Sequence, residues 1–138
     1  MSDRLTELLA SVDVPPEPAI AARLLAEVGW DKRLIGYRVA QMAGNTVQPL
    51  YSLEEVLRFL HGAPAAELLS VGGKPTLGYI EPSILARWVG DVLNDTCLAA
   101  ALTTVAETTP VYADTVEPMR ALIRRRLDAA REALAVPR

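Results

Sequence analysis

The sequence predicts an all-α protein, a compact bundle of about seven helices in a single domain that spans residues 1–138. Three observations favour this fold class. Apolar residues recur at the three- and four-residue spacing of amphipathic helices, and Ser52–Glu55 has the pattern of a helix capping box. Ten prolines and eight glycines also divide the chain into short segments. A chain of 138 residues is long enough to bury its own apolar core.

The N-terminal part is predicted to hold three helices. The first runs over about Asp3–Val12, and Pro18 lies in the first turn of the second, which Gly29 ends. Asp31 is predicted to cap a third helix that ends at Gly44, because aspartate is a favoured N-cap residue. The inward residues of this third helix would be Leu34, Ile35, Val39 and Met42.

The middle of the chain is predicted to be less regular. Ser52 caps a fourth helix that Gly62 closes, and Pro64 starts a short turn of helix that ends near Leu69. The range 71–80 contains glycines and a proline that disfavour a helix, so it is predicted to be a loop or a short hairpin.

Three more helices are predicted in the last part of the chain. Pro82 starts the first, Asp95 caps the second, which Pro110 ends, and the third runs from about Thr115 to Ala135. The inward residues would be Ile84, Leu85, Trp88, Val89, Val92 and Leu93 in the first of these helices, and Met119, Ile123, Leu127, Ala130 and Leu134 in the last.

The residue counts exclude several kinds of site. Cys97 is the only cysteine, so the chain forms no internal disulfide, and we expect Cys97 to act as a small buried apolar residue. His61 is the only histidine, which excludes a zinc site with two histidines from one chain. No metal or cofactor is therefore predicted. An apolar stretch of a secretory signal is missing near the start, so we expect a cytoplasmic protein, and the excess of Arg over Lys suggests a bacterial one.

Two catalytic motifs fail on single residues. Gly73 and Lys74 resemble the end of a phosphate-binding loop, but Pro75 stands where that motif needs Ser or Thr. Ser70 does not fit the nucleophile motif of hydrolases, because Leu68 stands where the motif has glycine. No catalytic residue is predicted.

Charge is distributed unevenly along the chain. Residues 1–118 carry 8 basic and 15 acidic side chains, whereas residues 119–138 carry 6 arginines and 2 acids. The arginine face of the last helix is either a solvated surface or a docking surface for carboxylates on this protein's own body, on a second copy or on another protein. Trp30 follows a glycine at a helix junction and is a second candidate contact. The candidate partner-binding residues are Arg120, Arg124, Arg125, Arg131 and Trp30.

These features predict a non-catalytic accessory, assembly or regulatory protein that acts through protein–protein contacts, with itself or with another protein. One alternative is an enzyme or a small-ligand-binding protein whose carboxylates and tyrosines meet only in the fold. The residues for that alternative are Glu81, Asp91, Tyr37 and Tyr79. A second alternative is a DNA-binding helix-turn-helix over residues 36–55, which Pro49 and the lack of Lys and Arg in residues 45–55 disfavour.

Overall fold

Six α-helices and a three-stranded sheet make up the part of the chain that the computed structural model describes, residues 2–40, 44–60 and 76–135. A short 3₁₀ helix (Trp30–Lys32) leads into the sheet. The strands are β1 (Leu34–Ala40), β2 (Gly44–Leu50) and β3 (Thr76–Tyr79). The α-helices are α1 (Ser2–Val12), α2 (Pro18–Leu25), α3 (Leu53–Phe59), α4 (Pro82–Asp91), α5 (Thr96–Thr108) and α6 (Tyr112–Ala135).

The caps predicted at Ser52 and Asp95 both begin α-helices. The Ser52 hydroxyl accepts a hydrogen bond from the Glu55 amide at 3.1 Å and begins α3. Asp95 accepts one from the Leu98 amide at 3.3 Å and begins α5. Each cap supplies an acceptor to an amide that has no partner within its own helix. The mainly helical character is therefore confirmed.

The third predicted helix is wrong, and the protein is not purely all-α. Its residues form β1 and the start of β2, and Asp31 lies in the 3₁₀ helix instead of capping an α-helix. The segment also fits a strand, because Ile35, Tyr37 and Val39 alternate with a period of two. β-branched and aromatic residues favour strands, and Gly36 costs stability inside a helix. The local sequence therefore favours the strand.

The sheet is antiparallel and has the order β2-β1-β3. β3 lies inside the range 71–80 and pairs with β1, and residues 71–75 of that range lie outside the described residues. The short helix predicted between Pro64 and Leu69 lies outside the described residues. Within the described residues the α-helices number six and not seven.

The buried core lies among the helices. Leu24, Leu85, Leu102, Met119 and Ile123 are fully buried members of one apolar cluster that joins α2, α4, α5 and α6. Burying side chains of this size contributes about 1.5–3 kcal/mol each, so the helical body holds most of the packing free energy.

None of the helices in the described ranges combines the length and the apolar character that crossing a membrane requires.

Candidate functional site

One face of the sheet packs against the helical body. Leu34 and Leu50 lie opposite each other in the register, and both are buried. Gly36 lies on the same face, and a Cβ atom there would come within 2.7 Å of the Phe59 ring of α3. The missing side chain at Gly36 therefore allows α3 to approach the central strand closely.

The opposite face of the sheet is open and apolar. Side chains alternate along a strand, so Ile35 and Tyr37 point away from the side that Phe59 covers. Tyr37 is 41% exposed, Ile84 on the neighbouring α4 is 50% exposed, and Trp30 is 69% exposed. We call Ile35, Tyr37 and Ile84, which line one cavity together, the sheet face. Exposed large apolar side chains that lie together mark contact surfaces more often than isolated ones do.

Trp30 is held in place although its ring is exposed. The Arg33 guanidinium lies 3.9 Å from the centre of the Trp30 ring, and an Arg33 N–H donates to the Trp30 carbonyl at 2.7 Å. The indole N–H of Trp88 donates to the Lys32 carbonyl at 2.7 Å and fixes the 3₁₀ helix to α4. A ring that is already ordered loses little conformational entropy when a partner binds it.

A cavity of about 370 Å³ lies between β1 and α4 and opens onto the sheet face. Its apolar lining comes from both elements, and its charged lining carries both signs. The residues that line it are Arg33, Leu34, Ile35, Tyr37, Glu81, Ile84, Arg87, Trp88, Asp91 and Val92. The fold thus brings Tyr37, Glu81 and Asp91 together around one cavity, as the ligand-binding alternative expects.

Glu81 is held as an anion at the start of α4. It accepts hydrogen bonds from the Ser83 hydroxyl and from the Ile84 amide, and it caps the helix. The bond from Ser83 is the main cause that lowers the pKa of the Glu81 carboxyl below its ordinary value. A general acid at neutral pH needs a raised pKa, so this shift suits ion pairing better than proton donation.

Tyr79 does not line this cavity. Its ring packs against the Tyr112 ring at 4.5 Å between centroids, where α6 begins. The Tyr112 hydroxyl accepts a hydrogen bond from the Ile80 amide at 3.1 Å, and burial raises the pKa of the Tyr112 phenol. The two rings therefore join the end of β3 to α6, which is a structural role.

Of the arginines proposed for partner binding, Arg124, Arg125 and Arg131 are exposed on α6, whereas the Arg120 side chain is only 18% exposed. Several of them contact carboxylates of the same chain. Arg124 lies beside a cavity of about 280 Å³ between α1 and α6. Arg120, Arg125 and Arg131 form ion pairs with Glu117 at 3.0 Å, Asp13 at 2.8 Å and Glu54 at 3.1 Å, respectively. The protein's own body thus supplies carboxylates to this helix, one of the three sources that the sequence left open.

Arg126 differs from its neighbours because it points into the core and is only 4% exposed. Its guanidinium binds both carboxylate oxygens of Asp95, at 2.7 and 3.1 Å. It also donates to the carbonyls of Val12 at 3.0 Å and Val14 at 2.6 Å. This one side chain joins α6 to the cap of α5 and to the end of α1, so its role is structural.

The other residues considered from the sequence form no catalytic set in the described part of the chain. Cys97 is half-buried and its thiol lies 3.0 Å from the Ser11 carbonyl, which accepts its hydrogen bond. The described part of residues 36–55 forms β1, β2 and the start of α3, which is not the two-helix geometry of a DNA-binding helix-turn-helix. His61 and the glycine loop with Lys74 lie outside the described residues. The described residues hold no group of three or more metal-ligating side chains.

Trp30 is exposed, as a contact residue must be, and Ile84 is a surface residue that the sequence pattern misses. Ile84 was placed on the buried face of its helix because it follows the same spacing as Leu85 and Trp88. The period-two pattern at Ile35 and Tyr37 was the signal that would have identified the open sheet face. No protein-family model, curated protein or solved structure matches this chain.

Proposed function

We propose that this protein is a non-catalytic accessory or regulatory factor that binds another protein through the sheet face. The observation that supports this proposal is the joint exposure of Tyr37 and Ile84, which both line the cavity between β1 and α4. Interfaces are enriched in aromatic residues at their centre and have a polar rim. The sheet face has that composition, with apolar side chains in the middle and charged groups around them.

The charged lining of the cavity indicates the chemistry of the partner. Arg33 and Arg87 are the cations of the lining, and Glu81 and Asp91 are anions at the start and the end of α4. A partner segment with apolar side chains between one acidic and one basic residue could pair its acidic residue with an arginine of the lining and its basic residue with a carboxylate. Such charge complementarity contributes to specificity and to the rate of association more than to affinity.

A first prediction tests the sheet face. A photo-crosslinking amino acid in place of Tyr37 captures the partner, which is then purified and titrated by calorimetry. Ile84→Asp places a charge in the apolar contact and is expected to weaken binding at least tenfold, which is about 1.4 kcal/mol. Leu134→Asp is the matched control, because Leu134 is 46% exposed and expected to change the affinity less than twofold.

Leu134 is a suitable control because it is exposed and does not line the cavity at the sheet face. It stands near the end of α6, whose first residue Tyr112 contacts Tyr79, the β3 residue opposite Tyr37. At 1.5 Å per residue, Leu134 lies about 33 Å along the helix from Tyr112. Equal affinity of Ile84→Asp and the parent would reject the sheet face as the contact.

A small-ligand-binding function is the second candidate, because Tyr37, Glu81 and Asp91 line one cavity. The same titration separates the two functions. A bound ligand that is held by its charge requires the Glu81 carboxylate, so Glu81→Gln would then weaken binding more than Ile84→Asp does. A protein partner that contacts the apolar surface gives the opposite order.

A second prediction concerns the arginine face of α6. We propose that changing Arg120, Arg124 and Arg131 together to Glu weakens association with the partner or with a second copy. Each exposed pair contributes only about 0–1 kcal/mol, so several arginines must be changed together. The effect is expected to shrink at high salt, because exposed charges are screened beyond about 10 Å at 0.1 M.

Pull-down and light scattering at low and high salt measure this effect, with circular dichroism as the control for helix content. Arg131 also pairs with Glu54 of the same chain, so Arg124→Glu alone is measured in parallel. Association equal to that of the parent at both salt concentrations would mean that the arginine face is only a solvated surface.

A further inference from the structure

The two edges of the sheet differ. β3 and β2 are the outer strands, because β1 lies between them. Directly after β3, the Ile80 amide donates to the Tyr112 hydroxyl, so the helical body adjoins that edge. β2 pairs on one side with β1, and its other side forms the second edge. An edge strand presents backbone donors and acceptors that another strand can bind.

The hydrogen bonds at Tyr51 show which backbone groups face outward. Tyr51 follows β2, its carbonyl accepts from the Val28 amide at 2.7 Å, and its amide donates to Glu55 at 2.9 Å. Both backbone groups of Tyr51 thus bond to groups outside the sheet. Along an antiparallel strand, the N–H and C=O groups of successive residues point alternately to the two sides of the strand. The backbone groups of Pro49, Val47 and Asn45 therefore point away from β1, as those of Tyr51 do.

Pro49 supports this assignment independently. Proline has no N–H, and within sheets it is tolerated where the N–H side would face away from the neighbouring strand. Its register partner is Ile35 of β1. Three residues of β2 therefore direct backbone groups away from β1. These groups are the carbonyl of Pro49 and the amide and carbonyl of both Val47 and Asn45.

The sequence of β2 itself lacks the charged residues that usually prevent strand pairing. The sequence of β2, GNTVQPL, has no charged residue, and Val47 at its centre is 56% exposed. Natural edge strands are commonly protected by Lys, by inward-pointing charges or by bulges. Pro49 protects only one end of this edge.

We propose that two copies of the chain pair through β2, antiparallel about a two-fold axis at Val47, and form one six-stranded sheet. In this register the two Val47 residues exchange both of their backbone hydrogen bonds. The Asn45 amide of each copy donates to the Pro49 carbonyl of the other, so the missing N–H of Pro49 faces only the Asn45 carbonyl at the end of the pairing. Isologous pairing of this kind is the commonest symmetry of soluble dimers.

The occupant is a second copy because the edge is self-complementary. A neutral strand pairs with its own copy without repulsion, although each chain carries a net charge of −3. Val47 lies opposite Tyr37 in the register, so the pairing also joins the apolar surfaces of the two copies across the axis. This proposal does not depend on the proposed binding of another protein, since it uses a different residue and a different readout.

Sedimentation velocity of the full chain, over concentrations up to about 1 mM, tests the dimer. The parent and the control Val47→Thr are expected to dimerise, since threonine keeps the backbone amide and a strand preference. Val47→Lys and Val47→Glu are each expected to weaken dimerisation at least tenfold, because like charges directly opposite destabilise a strand pair. An equimolar mixture of these two variants is expected to recover the dimer, because position 47 then faces its opposite charge.

Recovery of the dimer in the mixture is expected only if the two-fold axis passes through position 47. As the folding control, the chemical unfolding curve of each variant alone is expected to match that of the parent. A parent that stays monomeric over the whole range would overturn the proposal, even if β2 pairs with a strand of another protein. A dimer that is indifferent to Val47→Lys would overturn it as well, because the contact would then lie elsewhere.

Discussion

Replacing Arg126 by methionine is expected to lower the free energy of unfolding by about 3–5 kcal/mol. The substitution keeps an unbranched side chain of similar length but removes the charge. It leaves the Asp95 carboxylate buried without its cation and removes the donor that serves the Val12 and Val14 carbonyls. Because domains of this size unfold with about 5–15 kcal/mol, the loss is a large fraction of the total.

Arg125→Met is the matched control on the next residue. Arg125 also forms an ion pair, with Asp13 at 2.8 Å, but both side chains are about half exposed. Water screens such a pair, so we expect a change of about 0–1 kcal/mol. Guanidinium unfolding followed by circular dichroism measures both variants. If Arg126→Met were as stable as Arg125→Met, the buried pair would contribute no more than an exposed one.

A second variant separates the ion pair from the helix cap. Asp95 accepts from the Leu98 amide as well as from Arg126, and Asp95→Asn keeps an oxygen for the cap while it removes the charge. A double-mutant cycle of Arg126→Met with Asp95→Asn is expected to show a coupling of about 0.5–3 kcal/mol, because the two groups share one network.

The sequence predicted the helices from local signals, and those signals are physical. The cap at Ser52 depends on an interaction with the residue three positions later, as does the cap at Asp95, so both are visible in a short window. The sheet was missed because Ile35 and Val39 are four residues apart, a spacing that fits one face of a helix and one face of a strand equally well. Short apolar runs are ambiguous in this way, and the choice is made by strand partners that are distant in sequence.

The candidate site was predictable only in part for the same reason. The exposure of Trp30 follows from a local glycine junction, but the grouping of Tyr37 with Glu81 and Asp91 depends on where α4 lies beside β1. Nothing in the sequence distinguishes Arg126 from the arginines beside it. Its true partner, Asp95, lies 31 residues earlier in the chain, and helical periodicity carries no information about that contact.

Gly36→Val is expected to destabilise the protein by about 1–3 kcal/mol, the usual cost of overpacking. A Cβ atom at this position would lie 2.7 and 2.9 Å from two carbons of the Phe59 ring and 3.3 Å from a methyl carbon of Leu50. Atoms of a side chain do not approach so closely, so the ring must move. Phe59 is buried and has little room to do so.

Gly29→Ala serves as the control, because the nearest atom to its Cβ is a carboxylate oxygen of Asp31 that can rotate away. We expect that variant to remain within about 0.5 kcal/mol of the parent. Adding Phe59→Leu to Gly36→Val makes space for the new side chain, so the pair is expected to be less destabilising than the sum of the single changes. If the changes in the free energy of unfolding from Gly36→Val and Phe59→Leu were strictly additive, Phe59 would not set the distance between α3 and β1. The assignment of the buried and the open face of the sheet would then be wrong.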